Sequence, residues 1–290
     1  MNDAGSQERP CGGRDQDFAA RRALKFILLI GALSFFADFT YEGSRSILGP
    51  YLGSLGANAA IIGIVTGFGE LAGYGLRLLS GPLADVTGRF WPAMIVGYLV
   101  QMTSVPTLAL THSWAAAAAL VAAGFADYPI IAYHLSRDGV ARGEWIAIFY
   151  SVAMAVSGTG SLVLGRLFDR WGFSVLIGLT VLSAAFAPLV FLGGLGVALA
   201  GAAIWGLGMG VHESIIPAAV APMVRPERRA SAFGLFTAGY GVFWFLCSAA
   251  IGILYDRSVY AAVAFCVLAA LAAVPVFVWV GRRHKPHRPS

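Results

Sequence analysis

Residues 62–92 read IGIVTGFGELAGYGLRLLSGPLADVTGRFWP, and this stretch decides the fold. An apolar run ends in Gly-Pro-Leu-Ala-Asp, a short polar turn follows, and a second apolar run begins at Phe90. The pattern predicts two membrane helices joined by a tight loop, because about 20 mostly apolar residues cross the bilayer core. The same ending closes apolar segments at 165–169 and 252–256, so the sequence contains a repeated helical unit.

The composition indicates that lipid surrounds most of the chain. Of the 290 residues, 58% are hydrophobic and only 12% are charged, which is too little charge to cover a water-soluble surface. The net charge of +5 is concentrated in short loops and at the termini, as the positive-inside rule describes, rather than in a nucleic-acid-binding patch. The sequence therefore predicts an all-α polytopic membrane protein. It has no nucleophile elbow, phosphate-binding loop or zinc-ligand spacing, so we predict no enzyme activity, cofactor or metal site.

Eight segments are long and apolar enough to cross a membrane. They are 24–43, 58–80, 90–110, 145–164, 173–193, 196–217, 230–254 and 259–280. A ninth segment, 114–134, contains Gly124, Asp127 and Pro129, which are poor residues for a helix interior. We predict that this segment is broken or re-entrant, so the bundle has about eight full spans.

The distribution of positive charge predicts the orientation. If 114–134 does not cross completely, 16 of the 20 Lys and Arg residues lie in the cytoplasm. A complete crossing would instead place the Arg-rich 225–229 loop and the C-terminal tail outside. We therefore expect a multi-pass protein of the bacterial inner membrane, with a disordered cytoplasmic tail at 1–22 and a basic cytoplasmic tail at 282–290.

The repeated motif resembles a loop signature of the major facilitator superfamily. Its first copy matches the cytoplasmic loop between the family's second and third helices at Gly81, Asp85, Gly88 and Arg89. The second copy resembles the equivalent loop of the family's C-terminal half at Gly165, Asp169, Arg170 and Gly172. The third copy, at 252–256, resembles the end of the family's penultimate helix.

This resemblance implies a shortened member of a twelve-helix transporter family. Residues 23–110 are similar to family helices one to three, and 136–281 to helices eight to twelve. Residues 111–135 then resemble the start of helix four fused to the end of helix seven. The implied function is secondary active transport of a small molecule, with protons as the coupling ion, export as the direction and a second copy completing the shortened half. The alternative is a non-transporting membrane protein, either a deletion remnant or an assembly partner of a fuller transporter.

Ionisable residues inside apolar segments are the candidate transport residues, because unpaired charge is costly in lipid. Asp38, Glu42 and Arg45 lie at i, i+4 and i+7 on the first helix, and Glu70 and Arg77 share a face of the second. The full set of transport or proton-coupling candidates is Asp38, Glu42, Glu70, Arg77, His212 and Glu213. The adjacent His and Glu are candidates because such a pair can exchange a proton near neutral pH. For each, a structural ion pair or hydrogen bond is the alternative interpretation.

Tryptophan and cysteine positions add two smaller predictions. Five tryptophans fall at predicted span ends, where the headgroup layer favours them, namely Trp91, Trp114, Trp145, Trp171 and Trp279. Trp205 and Trp244 lie inside spans, which indicates packing or pore-lining roles. Cys247 and Cys266 also lie in apolar segments and are interpreted as small packing residues.

Overall fold

The structure is a computed structural model that describes residues 24, 25, 28, 42–87, 95, 99, 103, 110, 128–211, 225 and 229–283. Nine helices of about two turns or more lie in these residues, and no strand does. They are α1 (42–54), α2 (Ala59–Thr87), α3 (Pro129–Arg137), α4 (Gly143–Trp171), α5 (Phe173–Ser183), α6 (Phe186–Leu192), α7 (Leu195–Gly210), α8 (Arg229–Arg257) and α9 (Val259–Arg283). The predicted all-α class is confirmed.

Five segments of the described chain are long and apolar enough to cross a membrane. They are Ala59–Leu76, Gly143–Trp171, Ser174–Leu192, Ser231–Arg257 and Val259–Trp279, and the shorter apolar helix Leu195–Gly210 accompanies them. These segments coincide with predicted spans. Most of each predicted span 24–43, 90–110 and 114–134 lies outside the described residues, as does the second part of 196–217.

The first helix extends beyond its predicted end. The predicted span stops at residue 43, whereas α1 continues to residue 54. The polar residues past this point have partners, because Ser46 donates a 2.7 Å hydrogen bond to the Gly43 carbonyl and Arg45, 5% exposed, pairs with acids. Gly49 lets α1 approach α3 closely, since a Cβ there would lie 1.9 Å from the Pro129 carbonyl oxygen.

The second helix extends past the end of its predicted span at residue 80, because α2 continues to Thr87. Pro82 removes one backbone hydrogen bond from the helix without ending it. Membrane helices tolerate such a proline, since neighbouring groups can satisfy the carbonyl that it leaves. Gly81 and Asp85 therefore belong to the last turns of α2 and not to a turn that precedes the next helix.

The predicted single span 173–193 is divided into α5 and α6 at Ala184 and Ala185. Pro188 explains the position of the break. It has no N–H to donate to the carbonyl of Ala184, which lies four residues before it, and its ring crowds that carbonyl. The apolar run is continuous in sequence, so hydropathy alone does not reveal the break.

Helices α2 and α8 pack against each other along most of their length. A Cβ on Gly63 would lie 2.3 Å from the Ser248 carbonyl oxygen, and a Cβ on Gly252 would lie 2.3 Å from that of Ala59. Small residues let membrane helices approach closely enough for van der Waals packing of their backbones. The helices that end in the first and third copies of the motif therefore form one tightly packed pair.

Helix α3 lies at the centre of the main core. Tyr128 and Leu135 are fully buried, and Leu52 of α1 and Phe149 of α4 pack into the same core. Pro129 occupies the first turn of α3, where its missing N–H costs no helical hydrogen bond. This placement agrees with the prediction that Pro129 does not suit a helix interior.

Candidate functional site

Two acids and one arginine form an ionic cluster between α1 and α2. Arg45 Nη1 lies 3.5 Å from Glu42 Oε2, and Arg45 Nη2 lies 3.6 Å from Glu70 Oε1. The first pair is one turn apart on α1, whereas the second links two helices. We refer to Glu42, Arg45 and Glu70 as the ionic cluster.

The ionic cluster is buried in the protein and deep along α2. The side chains of Arg45 and Glu70 are 6% and 12% exposed, and that of Glu42 is 31% exposed. Glu70 is 11 residues from Ala59 at the start of α2, which corresponds to about 16 Å along the helix axis. Because the bilayer core is about 30 Å thick, this distance is close to half of a crossing.

Three aromatic residues adjoin the cluster. The Tyr150 hydroxyl donates a hydrogen bond to Glu42 Oε2, and its ring lies 4.5 Å from that of Tyr128 and 6.4 Å from that of Trp205. The Tyr128 hydroxyl in turn donates to the Ile146 carbonyl at 3.1 Å. These contacts connect the cluster to α4 and α7. The ring contacts of Trp205 agree with packing, which is one of the two roles predicted for it.

The ionic cluster contains more acidic groups than basic ones. Counted over the described residues Glu42, Arg45 and Glu70, two carboxylates share one guanidinium, and the formal charge is −1 when both acids are ionised. A net charge at this depth is costly, and one bound proton would remove it. The arrangement is therefore suited to binding a single proton or a single monovalent cation.

Sequence reasoning placed Glu42 and Arg45 on one helix face, and the structure pairs them there. It did not connect Arg45 with Glu70, and it did not identify Tyr150 or Tyr128. No pattern in the sequence gives a signal for Tyr150, which lies 108 residues from Glu42. Arg77 lies on α2 together with Glu70, but the description does not extend to its side chain. The other candidates, Asp38, His212 and Glu213, lie outside the described residues.

The first two copies of the motif occupy helix ends. Gly88 and Arg89 of the first copy lie outside the described residues. In the second copy, Gly172 has φ +59°, a conformation that favours glycine, and its N–H donates to the Phe168 carbonyl at 2.7 Å. Gly165 lies inside α4, and Asp169 and Arg170 are exposed near its end. The second copy therefore ends one helix and starts the next.

The third copy makes a contact between distant helices. Asp256 accepts hydrogen bonds from the backbone N–H groups of Ala59 at 3.1 Å and Ala60 at 2.8 Å. A carboxylate at a helix N-terminus satisfies unpaired amides and complements the helix dipole. Asp256 at the end of α8 thus caps α2, and Arg137 of α3 lies 3.9 Å from the same carboxylate.

We expect Asp256→Ala to lower the stability of the folded protein by about 1–2 kcal/mol, because it removes both capping hydrogen bonds. The measurement is the midpoint of thermal unfolding, Tm, of the purified protein in one detergent. Asp169→Ala is the matched control, since Asp169 has the same place in the second copy and is exposed. Equal Tm values for Asp256→Ala and the control would contradict the capping role.

His134 lies at the end of the bundle that contains Asp256 and Arg137. It is 2% exposed, and its Nδ1 lies 2.8 Å from the Tyr255 hydroxyl and 3.2 Å from Asp138 Oδ2. The Arg137 guanidinium lies 5.9 Å from the centre of the Tyr255 ring. In the part of the chain that the structure describes, no three His, Cys, Asp or Glu residues are grouped as metal ligands.

The helices, their apolar lengths and the buried ionic cluster define a multi-pass helical membrane protein. The family model of the Major Facilitator Superfamily matches residues 128–290, which is more than half of the chain. The chain therefore belongs to the major facilitator superfamily, a family of small-molecule transporters. The resemblance inferred from the loop motifs is confirmed.

Curated relatives add information about length. The chain is 26% identical to uncharacterized proteins of Mycobacterium tuberculosis, strains CDC 1551 and H37Rv, and of Mycobacterium bovis. Each alignment extends over 363 residues and covers 83% of this chain and 89% of the relative. Because 83% of 290 residues is about 241, about 120 of the 363 aligned positions stand opposite gaps in this chain. No solved structure matches the chain with significance.

Proposed function

We propose that this chain is a proton-coupled exporter of a small molecule in the bacterial inner membrane, with both termini in the cytoplasm. It would be a shortened form of the twelve-helix transporters. The observation that carries the proposal is the single guanidinium of Arg45 between the carboxylates of Glu42 and Glu70. The family supplies the general activity, and this cluster supplies a reason to expect protons as the coupling ion.

Proton binding to the cluster would change a contact between two helices. We assign the proton to Glu70, because its ion pair with Arg45 is the one that joins α1 to α2. A neutral Glu70 would no longer attract Arg45 as an ion, and the ionic link between α1 and α2 would be lost. Alternating access requires such a contact, present in one state and absent in the other.

We propose export by antiport, in which the inward movement of a proton drives the outward movement of the substrate. Protons tend to enter bacterial cells, so a proton that binds the cluster from outside and leaves it inside can be exchanged for an outgoing molecule. The cluster supports this exchange because its formal charge of −1 can be neutralised by one positive charge, but not by two at once. Proton and substrate would then bind alternately.

The test is dye accumulation in bacterial cells that lack their main exporters and that express this chain. Two dyes separate the charge classes, since ethidium is a monovalent aromatic cation and Nile red is uncharged. We expect cells with the chain to accumulate at least one dye several-fold less than cells with an empty vector. A protonophore should remove this difference. Equal accumulation of both dyes, with membrane insertion verified, would contradict the proposal.

The length difference favours a second candidate function. About 120 positions of the mycobacterial relatives stand opposite gaps in this chain, which supports the interpretation of a shortened chain. Such a chain would act as a non-transporting partner of a fuller transporter, or would need a second copy to enclose a transport path. Equal dye accumulation together with co-purification of a full-length transporter would favour the non-transporting partner.

A further inference from the structure

His134 is a buried titratable residue that the ionic cluster does not include. It lies in the last turn of α3 and is only 2% exposed. Its ring packs edge to face against Phe191 of α6 and Tyr255 of α8, with 5.0 Å and 5.7 Å between ring centroids. The imidazole therefore lies where α3, α6 and α8 meet.

One nitrogen of this ring faces both a hydroxyl and a carboxylate. His134 Nδ1 lies 2.8 Å from the Tyr255 hydroxyl and 3.2 Å from Asp138 Oδ2. The Tyr255 O–H can donate to Nδ1 only while that nitrogen carries no hydrogen. A protonated imidazole carries hydrogen on both nitrogens, so it cannot accept this bond. Protonation of His134 thus changes the hydrogen bonding between α3 and α8.

The charges around the ring compensate an imidazolium only in part. Asp138 pairs with it, but that side chain is 42% exposed, so water screens its charge. Arg137, three residues along the same chain, carries a like charge. The titratable and charged side chains around the ring are Tyr133, Arg137, Asp138, Tyr255 and Asp256, and the α6 sequence FAPLVFL adds none. Burial of the charged ring is therefore unfavourable, and the packed arrangement favours the neutral one.

We propose that His134 is a proton-binding site that controls whether α3 stays packed against α8. The neutral ring holds the two helices together, and a proton taken up from water beside the exposed Asp138 loosens this contact. The effect extends to α2, because Tyr255 precedes Asp256, whose carboxylate caps the start of that helix.

This site is distinct from the ionic cluster. It lies at the end of the bundle where α2 begins, whereas Glu70 is 11 residues further along α2, or about 16 Å along the helix axis. The opening of this end can be measured on purified protein without any substrate. A failure of the transport proposal and a failure of this one are therefore distinguishable.

A buried cysteine can report the opening. Ala132 of α3 is fully buried in the same core as Tyr255, so Ala132→Cys is the reporter, in a background with the three native cysteines replaced by serine. The measurement is its rate of alkylation by N-ethylmaleimide in lipid nanodiscs. Glu144→Cys, at an exposed position in the first turn of α4, is the matched control, and dividing by its rate removes the effect of pH on the reagent.

The normalised rate is compared at about pH 7.5 and about pH 5.5, above and below the ordinary histidine pKa of about 6.5. A ring released from the core binds a proton with ordinary affinity, whereas the packed ring binds it more weakly. One pH unit below the midpoint, the open state therefore gains up to about tenfold in population. We expect the normalised rate to rise about five- to tenfold in acid. Equal normalised rates at the two pH values would overturn the proposal.

Two variants assign the effect to His134. His134→Gln keeps an oxygen that can accept the Tyr255 O–H but does not titrate, so the reporter should react slowly at both pH values. Asp138→Asn removes the acid that partly compensates the charged ring. It should leave the rate at about pH 7.5 unchanged and increase the rise in acid.

Both variants can contradict the proposal. An acid response that persists in His134→Gln would assign the proton to another group and overturn it. Faster labelling of Asp138→Asn at both pH values alike would show that Asp138 has a constant structural role and would overturn it too. This second arm decides the question even if His134→Gln does not fold.

Discussion

Glu70→Gln is expected to reduce protonophore-sensitive dye export to the level of the empty vector, while the protein remains folded in the membrane. The substitution keeps the shape of the side chain and removes the group to which we assign the proton. Without a titrating carboxyl at this position, the contact between α1 and α2 no longer changes with proton binding. The measurement is dye accumulation in cells, normalised to the amount of protein in the membrane.

A second measurement of this prediction needs no substrate. Infrared difference spectra of the purified protein, recorded as the pH is lowered, should contain the C=O stretch of a protonated carboxylic acid in a dry environment. Glu70→Gln should lack this band, and Asp169→Asn, an exposed acid on α4, should keep it. A variant that retains the band, or that retains export, would refute the assignment of the proton to Glu70.

Hydropathy was enough to predict the positions of several of the described helices. The helices α4, α8 and α9 lie close to the predicted spans because each has a long apolar run with charge or a glycine at its ends. Lipid imposes this relation, since a crossing segment must be apolar and must satisfy its own backbone hydrogen bonds. Helix class and span position are therefore local properties of the sequence.

The errors at α1 and at α2 have a different physical origin. Residues 44–54 contain polar side chains that normally end a span, but Arg45 is buried by partners on another helix. Such compensation depends on tertiary packing, and a hydropathy average over a short segment of sequence does not include tertiary contacts. The second span was predicted to end at residue 80, just before Pro82, although a membrane helix can continue past one missing hydrogen bond.

The candidate site could be predicted only in part. Its acids stand out because ionisable groups in apolar segments are rare, and this signal identified both Glu42 and Glu70. Their connection through Arg45 could not be derived, because it depends on how α1 and α2 approach each other in space. The sequence does not identify Tyr150 either, since a tyrosine in an apolar run is as compatible with packing as with a functional role.

Arg45→Met is expected to destabilise the folded protein by about 3–5 kcal/mol, the usual cost of leaving a buried charge without its partner. Two carboxylates would remain in a medium of low dielectric constant, and they would repel each other. The measurement is the free energy of unfolding, or Tm, in one detergent. Arg137→Met is the control, since that side chain is 52% exposed and lies 3.9 Å from its acid. An exposed pair of this kind contributes at most about 1 kcal/mol.

A combined variant separates the structural role of the cluster from its role in coupling. The combined variant Glu42→Gln, Arg45→Met, Glu70→Gln removes all three charges of the ionic cluster, so the stability should return to within about 1–2 kcal/mol of the natural protein. Export and the infrared band should nevertheless stay absent, because no group in the cluster can bind a proton. If this stable variant still exported dye in a protonophore-sensitive manner, the three residues would form only a structural ion pair. If Arg45→Met alone were as stable as the natural protein, the cluster would not be a buried ionic site.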